Sequence, residues 1–450
     1  MKFLINSKIG MNKGVKRVWL EGVRLAKAGF KVGDSISVKS ESDKVVVKRD
    51  DAANKIVSKR KKGDSYLPII EITGSKLDGF NEGESIRVMI SPKGIIITKG
   101  KLETTHNKML DRLFDKIKHN KPLKTLSVFH GGGVLDRAIH TGLDSVGVKS
   151  KVAVAVELEA KYIESSISNN SMLFDDDSVI IESPVELLNL GCDDQFDVTI
   201  MGIPCTGASI AGRTKNKLAN AESHDTAGSL FHYALMAAVK SPIVIIENVV
   251  PYMNTVSYSV IESVLKAQGY SIQTTVLNGN DFGAIENRDR MCAIAVLNEI
   301  ADKFDVSKII SNQEPPMIAE ILEDVPEDSK RWKTFQYLID KEIRDKEAGK
   351  GFARNLVDGT ERKCGTIGRL YHKCRSTETY VKATFDDVKT RLFTPIEHAR
   401  VKTIPEDLVA GQCDTTAHEI LGQSVIFNCF KKVGEVVGQF LMSCCEPQLI

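Results

Sequence analysis

The chain reads as an α/β protein built on an open, Rossmann-like sheet of parallel strands, and three stretches predict it. Residues 126–139 (LSVFHGGGVLDRAI) run from a short apolar strand through a glycine cluster into helix-forming residues, the order of a nucleotide-type cofactor turn. Residues 152–163 (VAVAVELEAKYI) form a second apolar strand closed by an acid, Glu157. Residues 196–209 (FDVTIMGIPCTGAS) form a third: Val198, Ile200 and Ile203 supply its buried side, and Gly202 with Pro204 stops it, so Cys205 is offered at a strand end. Open α/β sheets hold ligands beyond the carboxyl ends of their strands, so a cofactor and a thiol are expected along one edge.

Length and composition bound the rest. At 450 residues, 42% hydrophobic and 27% charged, the chain predicts two or three domains of ordinary soluble composition. The opening MKFLINSKIGMNKG lacks the apolar run of a signal peptide and no stretch has membrane-spanning length, so a cytoplasmic location is expected. Nine scattered cysteines fit free thiols, and Cys364, His372 and Cys374 lack a fourth ligand at zinc-like spacing, so no metal is expected.

Charge is segregated. Residues 1–105 carry 22 Lys and Arg against 12 Asp and Glu, a net +10 that leaves the rest of the chain at −8 within the overall +2. That front region repeats itself: WLEGVRLAKAGFKVGDSISV (19–38) matches EITGSKLDGFNEGESIRV (71–88), each with a Gly-Phe pair, a Gly-acid turn and an alternating strand, followed by second strands at 44–48 and 94–98. Two short β units that cannot bury a face alone can bury one against each other. The charged run 48–65 between them reads as an exposed linker.

A helix is expected over 103–119, ahead of the glycine turn. There Gly131 and Gly133 let the backbone approach a ligand, and Glu157 can accept hydrogen bonds from a ribose diol. A strand at 178–181 ends at Glu182. After Cys205 come a polar loop (211–229), a helix (230–239) and the strand SPIVIIENVVPY, which ends in Glu247-Asn248; a carboxylate at that position is a candidate acid. Residues 270–277 and 292–297 read as paired strands flanking FGAIENRDRM, where Arg288 and Arg290 alternate onto one face suited to anions or base oxygens. Residues 301–329, with eight acids against two lysines, look like a boundary. Residues 330–391 carry 16 Lys and Arg against 9 acids, interleaved with Trp332, Phe335, Tyr337, Phe352, Tyr371 and Tyr380, a composition suited to phosphate pairing and base stacking or to a small solvated domain with its own aromatic core. Apolar residues at helical spacing return in the tail.

Taken together, residues 124–441 resemble the bacterial-type cytosine 5-methyltransferases. Phe129-His130-Gly131-Gly132-Gly133 resembles that family's cofactor motif, Glu157 its ribose-binding acid, Pro204-Cys205 its nucleophile motif and Glu247-Asn248-Val249 its catalytic Glu-Asn-Val. Arg288 and Arg290 resemble the paired arginines, residues 391–405 the motif after target recognition, and Gly422-Gln423-Ser424-Val425 the final motif. Thr206, Glu286, Leu158 and Gln423 depart from the family's usual Gln, Gln, bulky aromatic and Asn. The front repeat is similar to the swapped-hairpin barrels of bacterial transition-state regulators and antitoxins, which would imply DNA binding or self-association.

The resemblance implies a methyltransferase fold that binds S-adenosylmethionine through Phe129, Gly131, Gly133, Glu157, Leu158, Glu182, Pro204, Ser424 and Val425, with Cys205, Glu247, Arg288 and Arg290 catalytic. It implies duplex DNA as substrate, a target-recognition domain at 327–390, a catalytic domain at 105–326 completed by 391–450, and a front domain at 1–104. The enzyme would act as a monomer on DNA, in a restriction-modification setting of bacterial, phage or mobile-element origin. The same chemistry on tRNA, and a DNA-binding regulator retaining a methyltransferase body, are the alternatives; a dinucleotide oxidoreductase leaves Pro204-Cys205 and Glu247-Asn248 unexplained.

Overall fold

The computed structural model describes residues 1–41, 44–188, 190, 195–224 and 241–445, in two compact units, 1–108 and 109–450. The helix expected at 230–239 and the end of the polar loop, 225–229, lie outside the described residues.

The first unit is two antiparallel sheets. Four strands, Gly10–Asn12, Val15–Glu21, Ser65–Thr73 and Ser58–Lys62, form one, with the central pair in register from Arg17 opposite Thr73 to Glu21 opposite Ile69. In the six-stranded sheet Phe3–Lys8 pairs with Ser85–Ser91, a strand of the second repeat, while Lys55–Ile56 pairs with Ser35–Ser40, a strand of the first. Each repeat thus lends an edge strand to the other. Equivalent residues bury together: Phe30 with Phe80, Ile36 with Ile86, and Val45 and Val47 with Ile95 and Ile97. Such sharing is what two units too small to close a core would need. The segment 48–65 is not a loose linker: Ser58–Lys62 pairs with Ser65–Thr73 through the turn at Gly63-Asp64. All five residues of that edge strand are exposed, so they carry no apolar alternation from which a strand could be read.

The second unit is organised by a seven-stranded sheet whose strands are numbered here β1 (Leu123–Val128), β2 (Ser150–Glu157), β3 (Val179–Glu182), β4 (Val198–Gly202), β5 (Ile243–Asn248), β6 (Tyr270–Asn278) and β7 (Asp289–Leu297). Their order is β3-β2-β1-β4-β5-β7-β6, parallel through β5, with β7 antiparallel to both its neighbours. β1, β4 and β5 are buried on both sides apart from exposed Lys124 and half-buried Gly202 and Glu247, as a sheet covered on both faces requires, and their buried polar residues are hydrogen-bonded: Ser127 to Asp136 and Thr199 to Ser241. The chain reverses between β3, β2, β1 on one side and β4, β5 on the other, so the carboxyl ends of β1 and β4 flank the switch point where ligands bind in such sheets.

The C-terminal helix Phe427–Cys445 packs along Val134–Ser145, and the two backbones nearly touch. A Cβ on Gly142 would overlap the carbonyl of Lys431, and one on Gly434 the carbonyl of Ile139. The tail thereby closes over the helix that follows the glycine turn. Residues 327–390 carry the helix Gln336–Glu347 and a three-stranded sheet, Asn355–Val357, Thr379–Lys382 and Thr390–Arg391. Tyr371 and Tyr380 are wholly buried there, and Phe335 packs on Tyr380, so several interleaved aromatics are core and only Tyr337 of the six is largely exposed. The chain leaves this segment through Thr394, which caps the helix Pro395–Val401 in a reciprocal box with Glu397; Glu397 also takes both guanidinium nitrogens of buried Arg391. Among the described residues no helix is long and apolar enough to cross a membrane.

Candidate active site

The cofactor turn follows β1. Phe129, a non-glycine residue, sits at φ 61°, and Gly131 and Gly133 at 58° and 77°. Gly133 caps the helix Val134–Ser145 where a Cβ would strike Ser166, Asn170 and His130, so no larger residue fits. Glu157, closing β2, accepts the Gly131 N–H at 2.7 Å on Oε2 and the Glu159 N–H at 3.0 Å on Oε1. The carboxylate braces the glycine turn and keeps a lone pair on each oxygen for a further donor. Glu182 lies opposite Glu157 in the parallel register and is exposed, as is Leu158 at 59%.

Beneath the turn is a polar knot that motif reading missed. Ser127 Oγ donates to Asp136 at 2.8 Å and bonds His130 Nδ1 at 2.8 Å, while His130 Nε2 meets Ser166 Oγ at 2.7 Å. His130 and Asp136 are buried, so their role is to fix the turn. From the other side come the end of the helix Asp414–Gln423 and the turn at 424–426 that follows it. Val425 is in the core, and the Ser424 hydroxyl donates back to Ile420 O, so the residue of that motif facing the turn is exposed Gln423, whose amide nitrogen lies 3.9 Å from the Cβ position of Gly131.

The thiol side is built on β4 and β5, which run parallel with Gly202 opposite Glu247. Asn248 Nδ2 donates to Ile203 O at 3.2 Å, tying the end of β5 to the Pro204-Cys205 turn. The N–H groups of Ala208 and Ser209 both donate to the Cys205 carbonyl, and Ser209 then caps the helix Ile210–Asn216. Cys205 is half-buried and free. Lacking a side chain, Gly202 leaves its Cβ position 4.0 Å from Glu247 Oε2 and 3.6 Å from the Phe129 carbonyl, so acid and cofactor turn meet around it, three residues before Cys205.

Glu247 is held by Arg290, whose Nε lies 3.0 Å from Oε1 with both side chains 12% exposed. Burial pushes the Glu247 carboxyl above the usual range, against the pull of Arg290, Arg288 and Lys402. Burial and the like charge of Arg288 bring Arg290 down to about 10. A carboxyl biased toward its protonated form beside a cation is suited to giving a proton or hydrogen bond to a ring nitrogen.

Arg288 is elsewhere. It is buried, and its terminal guanidinium nitrogens bond Glu286 at 3.0 Å, Ile367 O at 3.3 Å and Gly422 O at 3.2 Å, whereas Arg290 pairs with Glu247. Fully buried Lys402 completes this group, with Nζ 3.3 Å from Glu286. Nothing in the spacing of the sequence marks Lys402. Cys364, His372 and Cys374 do not gather: among the described residues no three potential ligands group as a metal site would need.

A glycine turn at the switch point of the sheet, with a thiol and a buried acid at the ends of adjacent strands, defines an α/β protein whose ligand site has a nucleotide-type layout along that edge. Residues 123–439 match the family model for C-5 cytosine-specific DNA methylases. The chain belongs to that family. It is 28% identical over 251 residues to the type II methyltransferase M.MspI of Moraxella, covering 54% of this chain and 56% of that one, and 28% identical over 249 residues to M.NlaX of Neisseria lactamica, covering 53% and 75%. The matched region therefore spans little more than half the length of the Moraxella relative. In fold, the S. pombe Dnmt2 methyltransferase superposes with a TM-score of 0.54 at 18% identity over 72% of this chain and 99% of that one. The Entamoeba histolytica methyltransferase EhMeth gives 0.55 at 16% over 73% and 100%.

Proposed function

We propose that this chain transfers a methyl group from S-adenosylmethionine to carbon 5 of cytosine in duplex DNA, through a transient bond between Cys205 and carbon 6 of the base. The observation that carries the reading is Cys205 and Glu247 at the ends of adjacent parallel strands, with Arg290 on Glu247. Carbon 5 is a poor nucleophile, so the Cys205 thiolate adds to carbon 6 and Glu247, protonated, relieves the charge that reaches nitrogen 3. Arg290 holds Glu247 and lies within reach of the base oxygen. Loss of the carbon 5 proton and expulsion of Cys205 restore the ring.

The cofactor, when bound, supplies an electrophilic methyl group. Gly131 leaves room for the cofactor beside the turn that Gly133 shapes, the free lone pairs of Glu157 suit a ribose diol, and Glu182, Leu158, Phe129 and Pro204 border the same edge. Ser424 and Val425 serve this site by ending the helix that carries Gln423. Arg288 supports Arg290 from behind. A target base inside a duplex is out of reach and must be flipped out, which gives the basic segment 327–390 its role in target recognition. The front unit, with swapped edge strands like those of swapped-hairpin barrels and a net +10 over residues 1–105, is a second, sequence-independent DNA grip. A restriction-modification setting suits such an enzyme.

A duplex carrying 5-fluorocytosine tests the chemistry, since fluorine cannot leave as a proton. The wild-type chain is expected to form a covalent adduct with it in the presence of S-adenosylmethionine, and Cys205→Ser none, because a hydroxyl is far less ionised than a thiol. An active wild-type enzyme that forms no adduct refutes Cys205, and adducts on tRNA but not on DNA would reassign the substrate.

A further inference from the structure

The buried group Glu286, Arg288 and Lys402 makes contacts that no catalytic role requires. Glu286 and Lys402 are fully buried and Arg288 is 4% exposed. Glu286 Oε1 accepts the Ile367 N–H at 3.1 Å as well as Arg288 Nη1, and Lys402 Nζ reaches both Glu286 and the Ser424 carbonyl at 3.3 Å. Arg288 bonds the carbonyls of Ile367 and Gly422. Three side chains thus tie together the turn before β7, the loop around Ile367 in the basic segment, and the helix end at 422–424 beside the cofactor turn. The last two also touch directly, since a Cβ on Gly422 would overlap the Gly368 carbonyl. Arg290 leaves this knot two residues on from Arg288 and reaches Glu247.

Two cations and one carboxylate without water cost several kcal/mol per ion before their attraction returns any of it, and apolar residues of equal volume often hold a fold as well. Lys402 and Arg288 hold the Glu286 carboxyl below its usual range despite burial, while burial and the like charge of Arg288 pull Lys402 down to about 7. The group is therefore poised: an ionised Glu286 shared by two cations, one of them weakly held.

Building on the methyltransferase reading, we infer that Lys402 is a positioning residue which, through Glu286 and Arg288, couples the target-recognition segment at Ile367 to the cofactor-side helix end at 422–424. DNA seated on the recognition segment shifts Ile367, the clamp transmits the shift to the carbonyls of Gly422 and Ser424, and Gln423 is brought against the cofactor turn. By linkage, the cofactor tightens DNA binding by the same factor that DNA tightens cofactor binding.

The test is the dissociation constant of S-adenosylmethionine by calorimetry, with and without saturating duplex. The duplex is one carrying the sequence found methylated in expressing cells, or sheared bacterial DNA where none is found. The wild-type chain is expected to bind the cofactor at least about fivefold tighter with DNA, the low end of common couplings. Lys402→Met should bring that ratio below about twofold, and Lys402→Arg should restore most of it. The double variant Glu286→Gln/Lys402→Met, which leaves no unpaired buried carboxylate, should keep the fold and still lack the coupling, and it replaces the single variant if that one does not fold. A residue with a purely structural role would lower the melting temperature and leave the ratio intact. A wild-type ratio near one, or a folded variant with the wild-type ratio, overturns the inference. Absence of methylated cytosine in the expressing cells would instead count against the methyltransferase reading, and the binding ratio is read without it.

Discussion

Replacing Glu247 by Gln separates the acid from the fold. The amide keeps the shape of the side chain and an oxygen to accept from Arg290 Nε, now 3.0 Å away. What is lost is the proton and the charge. Burial already raises the Glu247 carboxyl above its usual range even with three cations pulling the other way, so folding shifts it toward the neutral form relative to the unfolded chain. A neutral amide should then cost little stability, below about 1 kcal/mol. Methyl transfer, by contrast, loses a positioned acid, which is typically worth 10²- to 10⁴-fold, or ~3–5 kcal/mol of barrier. The assay is single-turnover transfer of a labelled methyl group to duplex DNA over a range of pH, beside thermal melting. The wild-type rate should fall as pH rises through the raised value of Glu247, because the acid must hold its proton; in Glu247→Gln that limb should disappear. A Gln variant within tenfold of the wild-type rate, or one whose loss of rate only tracks a loss of folded protein, refutes the assignment of Glu247 as the acid.

Three further outcomes are expected. Glu157→Ala should weaken S-adenosylmethionine binding by about 1–3 kcal/mol in calorimetry, through unpaired ribose hydroxyls and through loss of the acceptor for the Gly131 N–H; unchanged affinity would move the ribose contact elsewhere. Stability should fall on acidification below about pH 6.5. His140 and His418 are buried and pulled down to about 4 by desolvation, and His398 is pushed down as well, so each unfolded chain binds protons the folded one refuses. At pH 5 His140 and His418 each contribute roughly 2 kcal/mol of loss and His398 adds in the same direction, read as a lower urea midpoint, and a midpoint that is flat between pH 7 and 5 would contradict this. Deleting residues 1–104 should leave the methylated sequence unchanged while lowering DNA affinity and flattening its salt dependence; an unchanged slope of log affinity against log salt rejects the second grip.

What could be read from the chain alone followed from local causes. The strands β1, β4 and β5 announce themselves because both faces are buried and apolar residues therefore predominate on each, and the glycine turn because Gly133 has no room for a Cβ. Cys205, Glu247 and Arg290 could be named because each stands at a strand end or on a strand whose period is two. The front repeat was visible as a repeat, yet its exchange of edge strands was not, because which copy a strand pairs with is decided by closure of a shared core. The exposed strand Ser58–Lys62 looked like linker for a related reason: an edge strand without a buried face has no hydrophobic pattern. Tertiary structure alone turned Arg288 inward and gave Gln423, rather than Ser424 or Val425, the position beside Gly131. It alone joined Lys402 to Glu286 across more than a hundred residues of chain. A buried charge is stable only where partners converge on it from several segments, and that convergence is a property of the folded packing that no spacing along the sequence encodes.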